Sequence, residues 1–129
     1  MKLFIVEDSP IIRERLLALL GDIDRVEVVG IADNAAEAID RIARLKPDAV
    51  VLDIKLRGAG NGIGVLREIR RRDAAKTTIM LTNHADVGVR QLCLDIGATH
   101  FFDKTGEFEK VRDVLAAWRP DDAVRQALA

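Results

Sequence analysis

The stretch AVVLDIKLRG, residues 49–58, decides how this chain is read. Ala49, Val50, Val51 and Leu52 form an unbroken apolar run with β-branched members, the pattern of a strand buried on both faces. Asp53 follows at once. The strand therefore carries a carboxylate to the edge of a core, where desolvation opposes it. Such a position calls for a chemical reason.

Working outward, KLFIV (2–6), VEVVGIA (26–32), TTIMLT (77–82) and HFF (100–102) read as further strands. Helical patterns lie between them. Ser9 and Pro10 suit an N-cap and a first helical position, with Ile12, Leu16, Leu19 and Leu20 on one face, Arg13 and Arg15 off it, and Gly21 as the stop. Asn34 with Glu37 three residues on resembles a capping box, ahead of Ala35, Ala38, Ile39 and Ile42 on the buried face. The glycine-rich loop RGAGNG (57–62) leads into a helix with Ile63, Leu66 and Ile69 inward. Ala85, Val89, Leu92, Cys93 and Ile96 set a fourth helix ended by Gly97, and Phe108, Val111, Leu115 and Trp118 a fifth that stops near Pro120.

Strands that alternate with helices and read as continuous apolar runs belong to a parallel sheet covered on both faces. Right-handed crossovers then give an open, doubly wound α/β fold of five parallel strands. A chain of 129 residues is too short for a closed eight-fold barrel. The expected strand order is 2-1-3-4-5, which makes strands one and three neighbours where the winding reverses. Residues 1–119 are expected to form this one domain, and 120–129 a short, partly ordered C-terminal tail with no output domain.

Composition narrows the function. The formal net charge is −1 and no strongly basic face stands out, so a nucleic-acid partner is not expected. No apolar run approaches the roughly 18 residues a membrane span needs, and the apolar part of MKLFIVEDSP is too short for a secretory signal. Cys93 is the single cysteine, which suits a reducing, cytoplasmic setting. It lies on an apolar helix face and reads as inert core. His84 and His100 lack cysteine partners for a zinc site, and REIRRRD (67–73) reads as a solvated helix face.

The residues after the strands carry the chemistry. Strand one ends in Glu7-Asp8, strand three in Asp53, strand four in Thr82, and strand five is followed by Asp103-Lys104. In a parallel sheet these ends share one edge, where ligands bind. Two carboxylates at about 5 Å repel by roughly 3 kcal/mol at an effective dielectric near 20. Lys104 supplies one compensating charge, and the remainder suits a hard divalent cation such as Mg²⁺. Asp53 beside such an ion and Lys104 could attack a phosphoryl group, with charge on the transferring oxygens stabilised by both. Thr82 could donate its hydroxyl to the product. Each residue has a plainer reading: a helix-start charge for Glu7 and Asp8, a loop cap for Asp53, a strand residue for Thr82, a solvated lysine for Lys104. Their order and joint placement favour the site.

In this order and spacing, IVEDSP, VVLDIKL, IMLT and GATHFFDK resemble the receiver domain of bacterial two-component response regulators, the CheY-like type, over roughly residues 2–118. The resemblance implies that Asp53 is the phospho-acceptor. It implies that Asp8, Asp53 and the Lys55 backbone carbonyl ligate Mg²⁺ (or Mn²⁺), with Glu7 acting through water. Thr82 matches the switch hydroxyl, Lys104 the family lysine, and Phe101 the aromatic whose rotamer follows phosphorylation. The donor would be a histidine kinase or a phosphotransfer protein. The face of helix four, strand five and helix five would meet a downstream protein target, and a homodimer is open.

Departures from the pattern are visible. Thr105 stands where proline often follows the lysine, so a trans peptide is expected there. Arg57 stands where proline often follows the phospho-acceptor by four, and Phe101 replaces the common tyrosine. Asn83, where a small residue is common, narrows phosphoryl access, and Lys55 and His84 flank the site and would tune phosphoryl lifetime. The expected function is a stand-alone phospho-switch that catalyses only its own phosphorylation and dephosphorylation. The alternatives are a phosphorylation-independent interaction module and a Mg²⁺-dependent, phosphatase-like enzyme.

Overall fold

Two apolar cores form because side chains alternate across each strand. The computed structural model describes residues 1–119; residues 120–129, where the tail is expected, lie outside the described residues. The elements run β1 (Lys2–Val6), α1 (Pro10–Leu20), β2 (Glu27–Ala32), α2 (Ala35–Leu45), β3 (Ala49–Leu52), α3 (Gly62–Arg72), β4 (Thr77–Thr82), α4 (Val87–Ile96), β5 (His100–Asp103) and α5 (Lys110–Ala117). In β1, Leu3 and Ile5 face one side of the sheet with Leu16, Leu20, Val111 and Leu115, while Phe4 and Val6 face the other with Ala38, Ile42, Leu66 and Cys93. α1 and α5 therefore cover one face, and α2, α3 and α4 the other.

The five strands are all parallel in the order β2-β1-β3-β4-β5, as the sequence leads one to expect. β3 is central and wholly buried, so its near-continuous apolar run is what a strand covered on both faces requires. The register of β1 on β2 slips between Leu3 and Phe4. There the Phe4 ring lies against Gly30, where any Cβ would meet ring atoms at 2.5 and 2.9 Å.

Local signals set most helix ends. Ser9 Oγ accepts the Ile12 amide at 3.3 Å and Pro10 opens α1. Asn34 Oδ1 accepts the Glu37 amide at 2.9 Å. The capping box is only half made, because the Glu37 carboxylate takes the Asn34 side-chain amide at 3.3 Å rather than a backbone N–H.

Four expectations need correction. α4 begins at Val87, leaving Ala85 ahead of it, and Leu92 is 40% exposed while Leu94 packs on the core instead. The apolar stripe of α4 admits either neighbour of Cys93, and the sheet edge accepts only one. In α3, Val65 is fully buried and Ile63 only partly, so the stripe is turned by part of a helical step. α5 spans less than its apolar pattern, with Phe108 buried ahead of it and Trp118 just past its end, donating Nε1–H to Thr77 Oγ1 at 3.3 Å. Within REIRRRD, Arg71 and Arg72 are exposed and pair with the half-buried Glu68, but Arg70 is half-buried and donates to Gly97 O at 3.3 Å.

Candidate functional site

Backbone ladder bonds running past the strand ends assemble the site. The Asp53 amide donates to Val6 O at 3.0 Å, the Glu7 amide to Ala32 O at 3.0 Å, and the Lys104 amide to Thr82 O at 3.1 Å. Glu7 and Asp8 thus leave β1 beside Asp53 leaving β3, and Lys104 leaves β5 beside Thr82, the last residue of β4. The strand order produces this convergence at the switch point of the sheet.

The geometry is that of a buried ion cluster. Lys104 Nζ lies 2.6 Å from Asp53 Oδ2 and 2.6 Å from Glu7 Oε1, with all three side chains nearly inaccessible. Asp53 Oδ1 accepts the Ile54 amide at 2.7 Å, and Glu7 Oε2 accepts the Ser9 amide at 3.1 Å. Arg13 Nη1 donates to the Glu7 carbonyl at 3.0 Å. Burial pushes the Glu7 carboxyl above the usual carboxylate range, against the opposing pull of the hydrogen bonds from Lys104 and Ser9. Burial also pulls on the Lys104 ammonium, but hydrogen bonds to Asp53 and Glu7 outweigh it and hold the group above the ordinary lysine value.

Asp8 is half-exposed at the mouth. Glu7, Asp8 and Asp53 each offer a carboxylate oxygen within 4.8 Å of the others. Three carboxylates share one ammonium, and an all-oxygen donor set open to water on one side is the chemistry of a hard divalent ion. The donor set fits Mg²⁺ or Mn²⁺.

The other candidates lie around this cluster. Thr82 is fully buried, and its Oγ1 accepts the His84 amide at 3.1 Å, which leaves the hydroxyl proton to donate elsewhere. Lys55, Asn83 and His84 are exposed at the rim, and no hydrogen bond or ion pair among the described residues joins their side chains to the acids. Phe101 is buried in the core under α4, with its carbonyl accepting Arg90 Nη1 at 3.1 Å. No cis peptide occurs among the described residues, so the Lys104–Thr105 bond is trans as expected.

Sequence reasoning gave Glu7 a role through water and missed its direct pairing with Lys104. It also missed the amides of Ser9 and Ile54 as donors to the acids. Side-chain direction decides these contacts, and residue type after a strand does not encode it.

An open, doubly wound parallel sheet with an acidic pocket and a buried lysine at its switch point defines a class of phosphate- and cation-handling α/β domains. Within that class the chain belongs to the response regulator receiver domain family, whose model matches residues 3–116. A protein-glutamate methylesterase/protein-glutamine glutaminase of Carboxydothermus hydrogenoformans is 35% identical across 85% of this chain and 32% of its own length. The positive alginate biosynthesis regulatory protein of Pseudomonas aeruginosa is 33% identical across 99% of this chain and 51% of its own length. The chain thus spans a third to a half of these relatives. The receiver domain of Klebsiella pneumoniae RstA superposes with a TM-score of 0.76 at 30% identity, covering 92% of this chain and 100% of that one. The isolated receiver domain of RcsB from Salmonella enterica serovar Typhimurium gives 0.82 at 24% identity over 98% and 97%, a likeness of fold alone.

Receiver domains are phosphorylation-based switches of two-component systems that take phosphate from histidine kinases and bind Mg²⁺ at an acidic pocket. No described helix is long and apolar enough to cross a membrane.

Proposed function

We propose that this chain is a phospho-acceptor switch in which Asp53 takes a phosphoryl group from a histidine kinase or a phosphotransfer protein. The observation that carries the reading is the Lys104 ammonium, 2.6 Å from both Asp53 and Glu7, with Asp8 completing the acidic set. Asp8, Asp53, the Lys55 carbonyl and, through water, Glu7 would hold Mg²⁺ or Mn²⁺. The bound ion would neutralise charge on the transferring phosphoryl oxygens.

The rest is done by the chain. An Asp53 carboxylate oxygen attacks phosphorus and forms the new O–P bond. The P–N bond of a donor phosphohistidine breaks, and its electron pair leaves with the imidazole, which takes up a proton. Lys104 transfers its hydrogen bond from the carboxylate to a phosphoryl oxygen, and Thr82 donates its free hydroxyl proton to another. Hydrolysis returns the carboxylate and inorganic phosphate. Asn83, Lys55 and His84, exposed at the rim, act on the lifetime of the acyl phosphate by controlling the approach of water.

Phe101, packed under α4, and Thr82 link the site to the face of α4, β5 and α5, where a downstream protein would read the switch. A cytoplasmic location belongs to the same reading, as does chemistry confined to the protein's own phosphorylation and dephosphorylation. Incubation with acetyl phosphate and Mg²⁺, followed by intact-mass measurement, tests it. One added phosphoryl group is expected in the parent, and none in Asp53→Ala or with the metal chelated. A parent that stays unmodified under every small donor would sink the proposal.

A further inference from the structure

Gly62 opens α3, and the end of the glycine-rich loop there is pressed against the backbone of the phospho-acceptor. A Cβ at Gly62 would lie 1.8 Å from Asp53 O, 2.7 Å from Asp53 C and 2.8 Å from Ile54 Cα. Real Cβ atoms keep at least 3.0 Å from such neighbours, so the backbone would have to give by more than an ångström. The Gly62 amide donates to Ile54 O at 2.7 Å, which holds the two segments together. Gly62 does not lie in the left-handed region, so an alanine there meets a steric obstacle and no conformational one.

The oxygen that a Cβ would displace belongs to the Asp53–Ile54 peptide. The N–H of that same planar unit donates to Asp53 Oδ1 at 2.7 Å. Pushing the carbonyl turns the whole peptide and withdraws the N–H from the carboxylate. The carboxylate would then leave the position in which Oδ2 meets Lys104. From these contacts we infer that Gly62 is a positioning residue for the phosphoryl-transfer site: its missing side chain lets α3 seat the peptide that aims the Asp53 carboxylate. The inference rests on the phospho-acceptor reading above and adds to it a residue outside the acidic set, on another element.

Gly64, one helical position pair later, supplies the control. A Cβ there meets nothing within 4 Å. Gly62→Ala and Gly64→Ala therefore add the same methyl to the same helix, one against the peptide and one into open space. With acetyl phosphate and Mg²⁺, Gly62→Ala is expected to lower the maximal phosphorylation rate by about 100-fold, the usual cost of an ångström of misplacement, while Gly64→Ala stays within about twofold of the parent. Half-saturating donor concentration should move little in either, since small donors bind weakly and the loss lies in the orientation of the nucleophile.

Amide NMR reads the same contact without phosphorylation. In the parent and in Gly64→Ala, the Ile54 amide should resonate downfield and exchange slowly; in Gly62→Ala it should move upfield and exchange faster. A Gly62→Ala protein with parent-like rate and Ile54 shift would overturn the inference. So would a parent whose Ile54 amide is unshifted and unprotected, a measurement that needs no variant to fold. A parent that is never phosphorylated but shows the Ile54 signature would fail the phospho-acceptor reading and not the contact.

Discussion

Lys104 holds one ammonium between two carboxylates that are themselves almost fully buried. Removing one partner of a buried ion cluster leaves uncompensated charge, which costs about 3–5 kcal/mol. Lys104→Met should therefore unfold at lower denaturant concentration in the absence of divalent ions. Added Mg²⁺ should return part of the loss, because it supplies the missing positive charge. Urea titrations with and without the metal check both statements; a variant as stable as the parent without metal would contradict them. Since the native ammonium sits above its ordinary value of 10.5, its contribution is fully present below that pH and disappears as pH rises through the native value. At this scale the sequence was informative about which residue types gather. Glu7, Asp8, Asp53 and Lys104 each follow a strand, and a parallel sheet aligns strand ends. What it could not convey was the direction of each side chain, and hence the pairing of Glu7 with Lys104.

Elements differ in how firmly the cores hold them. α3 buries Val65, Leu66 and Ile69, whereas α4 buries Cys93 alone and leaves Val87 84% exposed. Fewer buried apolar contacts mean cheaper local opening. Amide hydrogen exchange should accordingly be faster through 87–96 than through 62–72. Leu66→Ala should cost about 2–5 kcal/mol, as truncations in a packed core do, and Leu92→Ala less than about 0.5 kcal/mol. Thermal unfolding of the pair checks this, and equal losses would show that α4 is anchored as deeply as α3. Under the proposed switch, such a weak seat would let α4 respond to the state of the site. Periodicity located both helices, but it could not decide between Leu92 and Leu94 as the inward neighbour of Cys93. Only the position of α4 at the sheet edge does so.

At the scale of the molecule, one sheet separates two cores and gathers polar residues at one edge. The pattern of strand, helix and strand was legible from residues 49–53 outward, because a strand covered on both faces has to be apolar throughout. The order 2-1-3-4-5 was an expectation beyond the apolar pattern; the structure has it, and it makes β1 and β3 neighbours, so that Asp8 and Asp53 leave the sheet side by side.

The opposite end of the sheet carries His100, half-buried and stacked on Phe102 with ring centroids 5.6 Å apart. Burial pulls its imidazole below the ordinary value of 6.5. The unfolded chain then takes up a proton before the folded one, so stability is intact above about pH 6.5 and falls as pH drops through the native value. His100→Phe keeps the stack and removes the proton site. The parent should lose more stability than this variant between about pH 7.5 and 5.5 in denaturant titrations, and parallel losses would exclude His100 as the cause.

The central claim is that the ends of β1 and β3 form a single cation-holding pocket around Asp53. Paramagnetic Mn²⁺ at substoichiometric amounts tests it directly, because it broadens amide resonances near its binding site. Broadening should centre on Glu7, Asp8, Asp53, Ile54 and Lys55, extend to Thr82 and Lys104, spare His100, and vanish in Asp8→Asn. Broadening centred elsewhere, for instance on the exposed Asp22 and Asp24 at the far end of α1, or unchanged in Asp8→Asn, would contradict the account.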